Sequence, residues 1–193
     1  MFENLKRDSA QYERWYVDPG FWIVAVYRFG VWADALPTPL LRIPAWMLYR
    51  ILRLPYIFFR VHLWAGTKGA RIGPGFHLIH PTNVMIGSGV EIGENCLIFH
   101  DVTLGTAGQT LETPKIGKAV DIYCGARVLG GVTIGDGSMV GANCVVTRDI
   151  PPASVILSAP GRVIPRTLSP VARNAGRESS SLIHETNVPK SPE

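Results

Sequence analysis

The sequence has few charges, few cysteines and no long hydrophobic run, and it is nearly bare of aromatic residues beyond its first third. Only 18% of the 193 residues are charged, yet 47% are hydrophobic, so the composition is neither low-complexity nor disordered. A net charge of +4 is too small to argue for nucleic acid, and no RNA- or DNA-binding motif is present. The three cysteines, Cys96, Cys124 and Cys144, have no metal-ligand spacing and cannot all pair; they read as buried thiols of a reducing cytosol. Arg28, Asp34, Arg42, Arg50, Arg53 and Arg60 interrupt every apolar run before it reaches the roughly 18 residues of a spanning helix. The polar start MFENLKRDSAQYERWYVDPG is unlike a secretory signal, so a cytoplasmic location is expected. Length alone favours one compact domain with a small appendage.

What is present is unevenly spread. Of the 20 glycines, 16 lie between Gly66 and Gly141, whereas 15 of the 18 aromatics, including all five tryptophans, lie at or before Trp64. Charge is uneven too: seven basic groups between residues 21 and 72 face one acid, Asp34. The glycine-rich part carries a repeat. From Ile86 an aliphatic residue returns every six positions through Val146, and only Thr110 breaks the series. Glycine follows at Gly87, Gly93, Gly105, Gly117, Gly135 and Gly141, and a small or β-branched residue sits four places on, as at Val90, Cys96, Ala126 and Cys144.

Six is a multiple of the strand period and not a helical one. An inward aliphatic followed by a corner, repeated, describes a parallel β-helix in which three sides close one coil and inward columns stack. Glycine is expected at the corners for turn φ values that other residues resist. Cys96 and Cys144 fall in the small inward slot. Coils extend upstream through Ile72 and Leu78, with two extra residues before Ile86, and Gly105 to Thr113 reads as a corner loop that adds six residues so the period resumes in register.

The first third reads differently. Asp18-Pro19 is a helix start, the stretch Phe21 to Ala33 is helical, and Pro37, Pro39 and Pro44 end it. A second helical stretch is expected from about Ala45 to Trp64, kinked at Pro55, with Arg42, Arg50, Arg53 and Arg60 inside an arc of about 80°. This piece is either a cap with a solvated basic edge or an interfacial segment, residues 42–64, resting on anionic lipid at the inner face of a membrane. Residues 1–65 thus form a helical region, 66–166 the β-helix, and 167–193 an aperiodic tail expected to be disordered.

The stretches ARIGPGFHLIHPTNVMIG (70–87), VTLGT (102–106), PKIG (114–117), GARVLGGVTIGDGSMVGANCVVT (125–147) and IPPASVILSAPGRVI (150–164) resemble the hexapeptide-repeat acyltransferases. These have a left-handed parallel β-helix, and the nearest likeness is to serine acetyltransferases and to related O-acetyltransferases of exopolysaccharide (colanic-acid type) clusters. The left hand and a homotrimer with sites between subunits follow from the resemblance alone.

Acetyl transfer from a thioester to a hydroxyl needs a base and donors for the developing oxyanion, and histidine suits the base near neutral pH. His80 and His100 each lie two residues after an inward aliphatic and one coil apart, so their rings should be neighbours; His77 has the opposite parity, and His62 and His184 read as surface or packing residues. In the resemblance His80 falls on the family's catalytic histidine, and His100 on an assisting or substrate-binding position. It implies acetyl-CoA contacts along a groove between subunits at Gly105, Thr106, Cys124, Gly125, Ala126, Gly141 and Ala142, and more weakly at Lys115 and Arg162. His77, Asp101 and Thr113 are candidates for acceptor binding. The sequence also departs from the serine enzymes: Ala65 and Ile79 replace carboxylates around the catalytic histidine, and Thr113 replaces a histidine that helps hold serine. The orienting partner of His80 is then a backbone carbonyl, His100 or Asp101. These departures favour a sugar or polysaccharide-precursor hydroxyl, such as a lipid-linked glycan, with serine the alternative. A non-catalytic trimeric scaffold and a zinc enzyme are the other classes. Zinc needs three well-placed histidines, and only two are present, so no metal is expected.

Overall fold

In the computed structural model the described residues are 2–63, 66, 69–108 and 111–161. From His62 onward the chain winds into a three-faced parallel β-helix, the architecture of the hexapeptide solenoids. The first face stacks His62–Leu63, Met85–Ile86, Thr103–Gly105, Arg127–Leu129 and Val145–Val146. The second stacks Arg71–Ile72, Glu91–Ile92, Lys115–Ile116 and Thr133–Ile134. The third stacks His77–Leu78, Leu97–Ile98, Asp121–Ile122, Met139–Val140 and Val155–Ile156. Every described six-residue aliphatic from Ile86 to Val146 is buried, and so are Val90, Cys96, Val102, Val120, Ala126, Val132, Ser138 and Cys144 four places on.

The irregularities fall where the period places them. Met85 pairs with Thr103 and Arg127 with Val145, each 18 positions apart. His77 pairs with Leu97, 20 positions on, because of the two extra residues near His80. Thr103 pairs with Arg127, 24 positions on, because of the corner loop.

The corner chemistry differs from the expectation in one respect. The glycine just after the inward aliphatic does not adopt positive φ at Gly87, Gly93, Gly105, Gly117, Gly135 or Gly141. Gly93 shows why glycine stands there: a Cβ would lie 2.5 Å from the Gly117 carbonyl oxygen of the next coil. There, close stacking of coils rather than φ excludes a side chain, as it does at Gly117 and Gly135 but not at Gly105. The left-handed residues come later in each corner, as the column Asn83, Asp101, Gly125 and Asn143, with φ of 55°, 57°, 74° and 58°. Asn and Asp tolerate that region because their short polar side chains bond locally.

Among the described residues four helices precede the solenoid: α1 (Phe2–Ser9), α2 (Pro19–Asp34), α3 (Pro39–Leu52) and α4 (Pro55–Phe59). Asp18 caps α2 by accepting from the Gly20 N–H at 2.7 Å, with Pro19 in the first turn, as read from the sequence. Pro39 opens α3 instead of blocking it, and Pro44 is carried inside. Proline fits a first helical turn, where the missing N–H has no intrahelical partner. The second stretch is therefore longer upstream and shorter downstream than expected, giving way to strand at His62.

Two sets of contacts tie α1 and α2 to the first coil. Arg28, buried on α2, donates to Asp8 at 2.8 and 3.1 Å and to the carbonyls of Ile72 and Gly73 at 2.6 Å. Asp8, also buried, accepts from the Gly75 and Phe76 N–H groups at 2.9 Å. Tyr27 donates to Ala70 O at 2.7 Å, and Tyr12 accepts from Leu78 N.

Candidate active site

The corner between the third and first faces gathers the chemistry. Coil offsets stack His80, His100, Cys124 and Ala142 in one column, beside the left-handed column of Asn83, Asp101, Gly125 and Asn143. The His80 and His100 ring centroids are 6.3 Å apart with planes tilted by 57°, so the rings are the neighbours that the spacing implied. His80 is exposed and has φ 48°, an uncommon backbone for a residue other than glycine. Its carbonyl accepts from the Thr82 N–H and hydroxyl. His100 Nδ1 is buried and has no hydrogen-bond partner among the described residues. This unused hydrogen-bonding capacity suits a ligand or a neighbouring chain, since buried polar atoms are nearly always paired.

Asp101 is engaged through its Oδ1 by groups other than His80. It receives the Asn83 amide and the Arg127 guanidinium, and Arg127 also donates to the Asp101 carbonyl. Asn83 and Arg127 thus belong to the site, and the sequence reading missed both. Register could have found Arg127, which lies on the outward row of the first face opposite Thr103. Two successive coils of the third face add an aromatic pair, Phe99 stacked on Tyr123 with centroids 5.0 Å apart.

The remaining candidates divide by position. Cys124, Gly125, Ala126, Gly141 and Ala142 lie at or beside this corner on later coils. A side chain at Gly125 would be strained, because its φ is 74° and a Cβ would press on Asn143 Oδ1. Gly105, Thr106, Thr113 and Lys115 lie across the first face, around the corner where the loop departs. His77 joins neither group. Its ring packs edge-on against Tyr12 at 4.4 Å, and burial pushes its imidazole pKa down, partly offset by the Asp18 carboxylate. Arg162, Ala65 and the tail lie outside the described residues.

Cys96 and Cys144 are buried in the inward slots, and burial pushes the Cys96 thiol up to about 11, which suits an inert packing role. Among the described residues no group of three or more His, Cys, Asp or Glu side chains is placed to hold a metal ion.

The bacterial transferase hexapeptide (six repeats) family matches residues 113–148. The chain is 34% identical over 154 residues to the serine acetyltransferase of Bacillus subtilis, covering 77% of this chain and 69% of that protein. It is 43% identical over 98 residues to the serine acetyltransferase of Mycobacterium tuberculosis, where it spans 50% of this chain but only 43% of the relative. The serine acetyltransferase of Brucella abortus in complex with coenzyme A superposes with a TM-score of 0.64 at 25% identity, over 84% of this chain and 67% of that one. These relatives are serine enzymes, and nothing in them supports the narrower resemblance to exopolysaccharide O-acetyltransferases. The period of six, the stacked coils and these likenesses agree: the chain belongs to the hexapeptide-repeat transferases, among the relatives of the serine acetyltransferases.

Proposed function

We propose that the protein is an acetyl-CoA-dependent O-acetyltransferase in which His80 is the general base, with serine as the acceptor. The observation that carries this reading is the exposed His80 ring set 6.3 Å from His100 on one corner of a solenoid whose relatives bear the serine acetyltransferase name. His80 would take the proton of the acceptor hydroxyl as its oxygen attacks the thioester carbonyl, and return it to the departing thiol sulfur. Backbone groups around Gly125 and Ala142 suit the pantetheine arm, because these small residues at the corner are not buried. The acetyl donor supplies the activated acyl group; a CoA-bound relative supports that assignment.

A trimer fits this arrangement. Within one chain the two sets of candidate contacts flank the first face and do not converge, so a second subunit would be needed to bring a loop like Gly105–Thr113 against the His80 corner.

A second reading, a sugar hydroxyl, rests on Asp101. This is the carboxylate of the corner, and Arg127 and Asn83 already meet its Oδ1, so its charge is partly offset before any serine ammonium arrives. Thiol release from acetyl-CoA separates the two. Serine-dependent release is expected; release with hexoses but none with serine would replace the acceptor, and release with neither would remove the reading altogether.

A further inference from the structure

The helical hairpin before the solenoid leaves an apolar surface that the fold does not use. On α3, Ala45, Trp46 and Tyr49 form the seam that packs inward. At about 100° per residue, Leu40, Ile43, Met47, Leu48 and Ile51 cover the opposite half, and all are exposed. The surface continues onto α4 and its flank, where Leu54, Ile57 and Phe58 are exposed, Phe58 by 86%. A contiguous apolar patch of this kind marks an interaction surface.

The charge around it has one sign. No Asp or Glu occurs between Asp34 and Glu91, a stretch that holds Arg42, Arg50, Arg53, Arg60, Lys68 and Arg71. Arg50, Arg53 and Arg60 line a groove of about 810 Å³ together with His62 and Asn83. Arg53 is held over the Tyr49 and Tyr56 rings at 5.5 and 5.4 Å, while Arg50 and Arg60 are exposed and form no ion pair among the described residues. Asn83, on the far wall, touches Asp101, so the groove ends beside the His80 corner.

We propose that the α3–α4 face rests on an anionic lipid surface, with phosphate-bearing headgroups taken into the arginine groove. An apolar face inserted at the headgroup boundary and a cationic rim on anionic phosphates use both features together. A second copy docking by the same face would set the arginines against their own counterparts with no carboxylate in the stretch to meet them. No described helix is long and apolar enough to cross a membrane, so the contact lies along the surface. The proposal is independent of the acceptor.

The test is sedimentation of the full chain with vesicles of phosphatidylglycerol and phosphatidylcholine, against pure phosphatidylcholine, at low and high salt. Binding to the anionic vesicles that weakens with salt is expected. Arg50→Gln with Arg60→Asn should weaken it about 25-fold, roughly fivefold per arginine; asparagine suits the left-handed backbone of Arg60. Ile57→Ser with Phe58→Ser should abolish it while leaving acetyl-CoA turnover and particle size unchanged. No sedimentation with anionic vesicles, or equal sedimentation with neutral ones, overturns the proposal. So does a drop in particle size of the Ile57/Phe58 variant, which would assign the face to a second copy, or a wild type that binds inorganic pyrophosphate in the groove but no anionic vesicles.

Discussion

In the solenoid almost every large aliphatic is turned inward and covered, whereas α3 and α4 turn most of theirs to the outside. Ile98, Leu104, Ile122 and Ile134 are sealed in columns whose neighbours repeat every coil, while Leu40, Ile43, Ile57 and Phe58 are exposed. The difference teaches which part of the molecule is complete. Each solenoid coil buries its neighbour's inward row, so the fold is closed along its length by its own repetition. The helical region is fastened to the first coil by Asp8, Arg28, Tyr12 and Tyr27 but leaves the apolar side of α3 and α4 exposed.

The comparison can be broken most forcefully at the fastening. Asp8→Ala would leave the Arg28 guanidinium buried without its carboxylate, and a loss of about 3–5 kcal/mol is expected in denaturant unfolding. If the loss stays below about 1 kcal/mol, the helices are not integral to the folded unit. Next comes the core. Ile122→Ala should cost about 2–5 kcal/mol, against less than about 0.5 kcal/mol for Ile43→Ala on the open face; equal costs would mean that the α3 face is covered within the chain. A smaller effect is expected at the corner, where Gly125→Ala forces a side chain into φ 74° and displaces Asn143, at about 1–2 kcal/mol. A neutral outcome there would show that the corner backbone is free to relax.

The smallest effect is a pH dependence. Burial lowers the His77 pKa, so the unfolded chain takes up this proton first as the pH falls below about 6.5. Its contribution to stability is therefore present above that pH and lost on acidification. His77→Gln should flatten that part of the stability–pH curve, and an unchanged slope would put the sensitivity elsewhere.

How legible the molecule was follows the same division. The inward columns, the two-residue excess near His80 and the six-residue loop could all be read, because a period of six records which residues face in, coil after coil. The neighbouring of His80 and His100 came from the same arithmetic. The short helix α1 was not legible: its eight residues are mostly polar, and Asp8 is satisfied by groups on α2 and on Gly75 and Phe76. Helices this short draw stability from packing and not from local propensity. The Asp101–Asn83–Arg127 cluster also escaped, since its members lie 18 and 26 positions from Asp101 and meet only through coil register. Pro39 misled because the same residue that ends one helix begins another.

The central claim is that His80 carries the chemistry at the corner. The direct measurement is thiol release from acetyl-CoA with serine for the wild type and for His80→Asn, which keeps a residue able to hold φ 48°. A loss of about 10²–10⁴-fold in kcat, with unfolding unchanged, is the predicted result. A variant that retains the wild-type rate would contradict it.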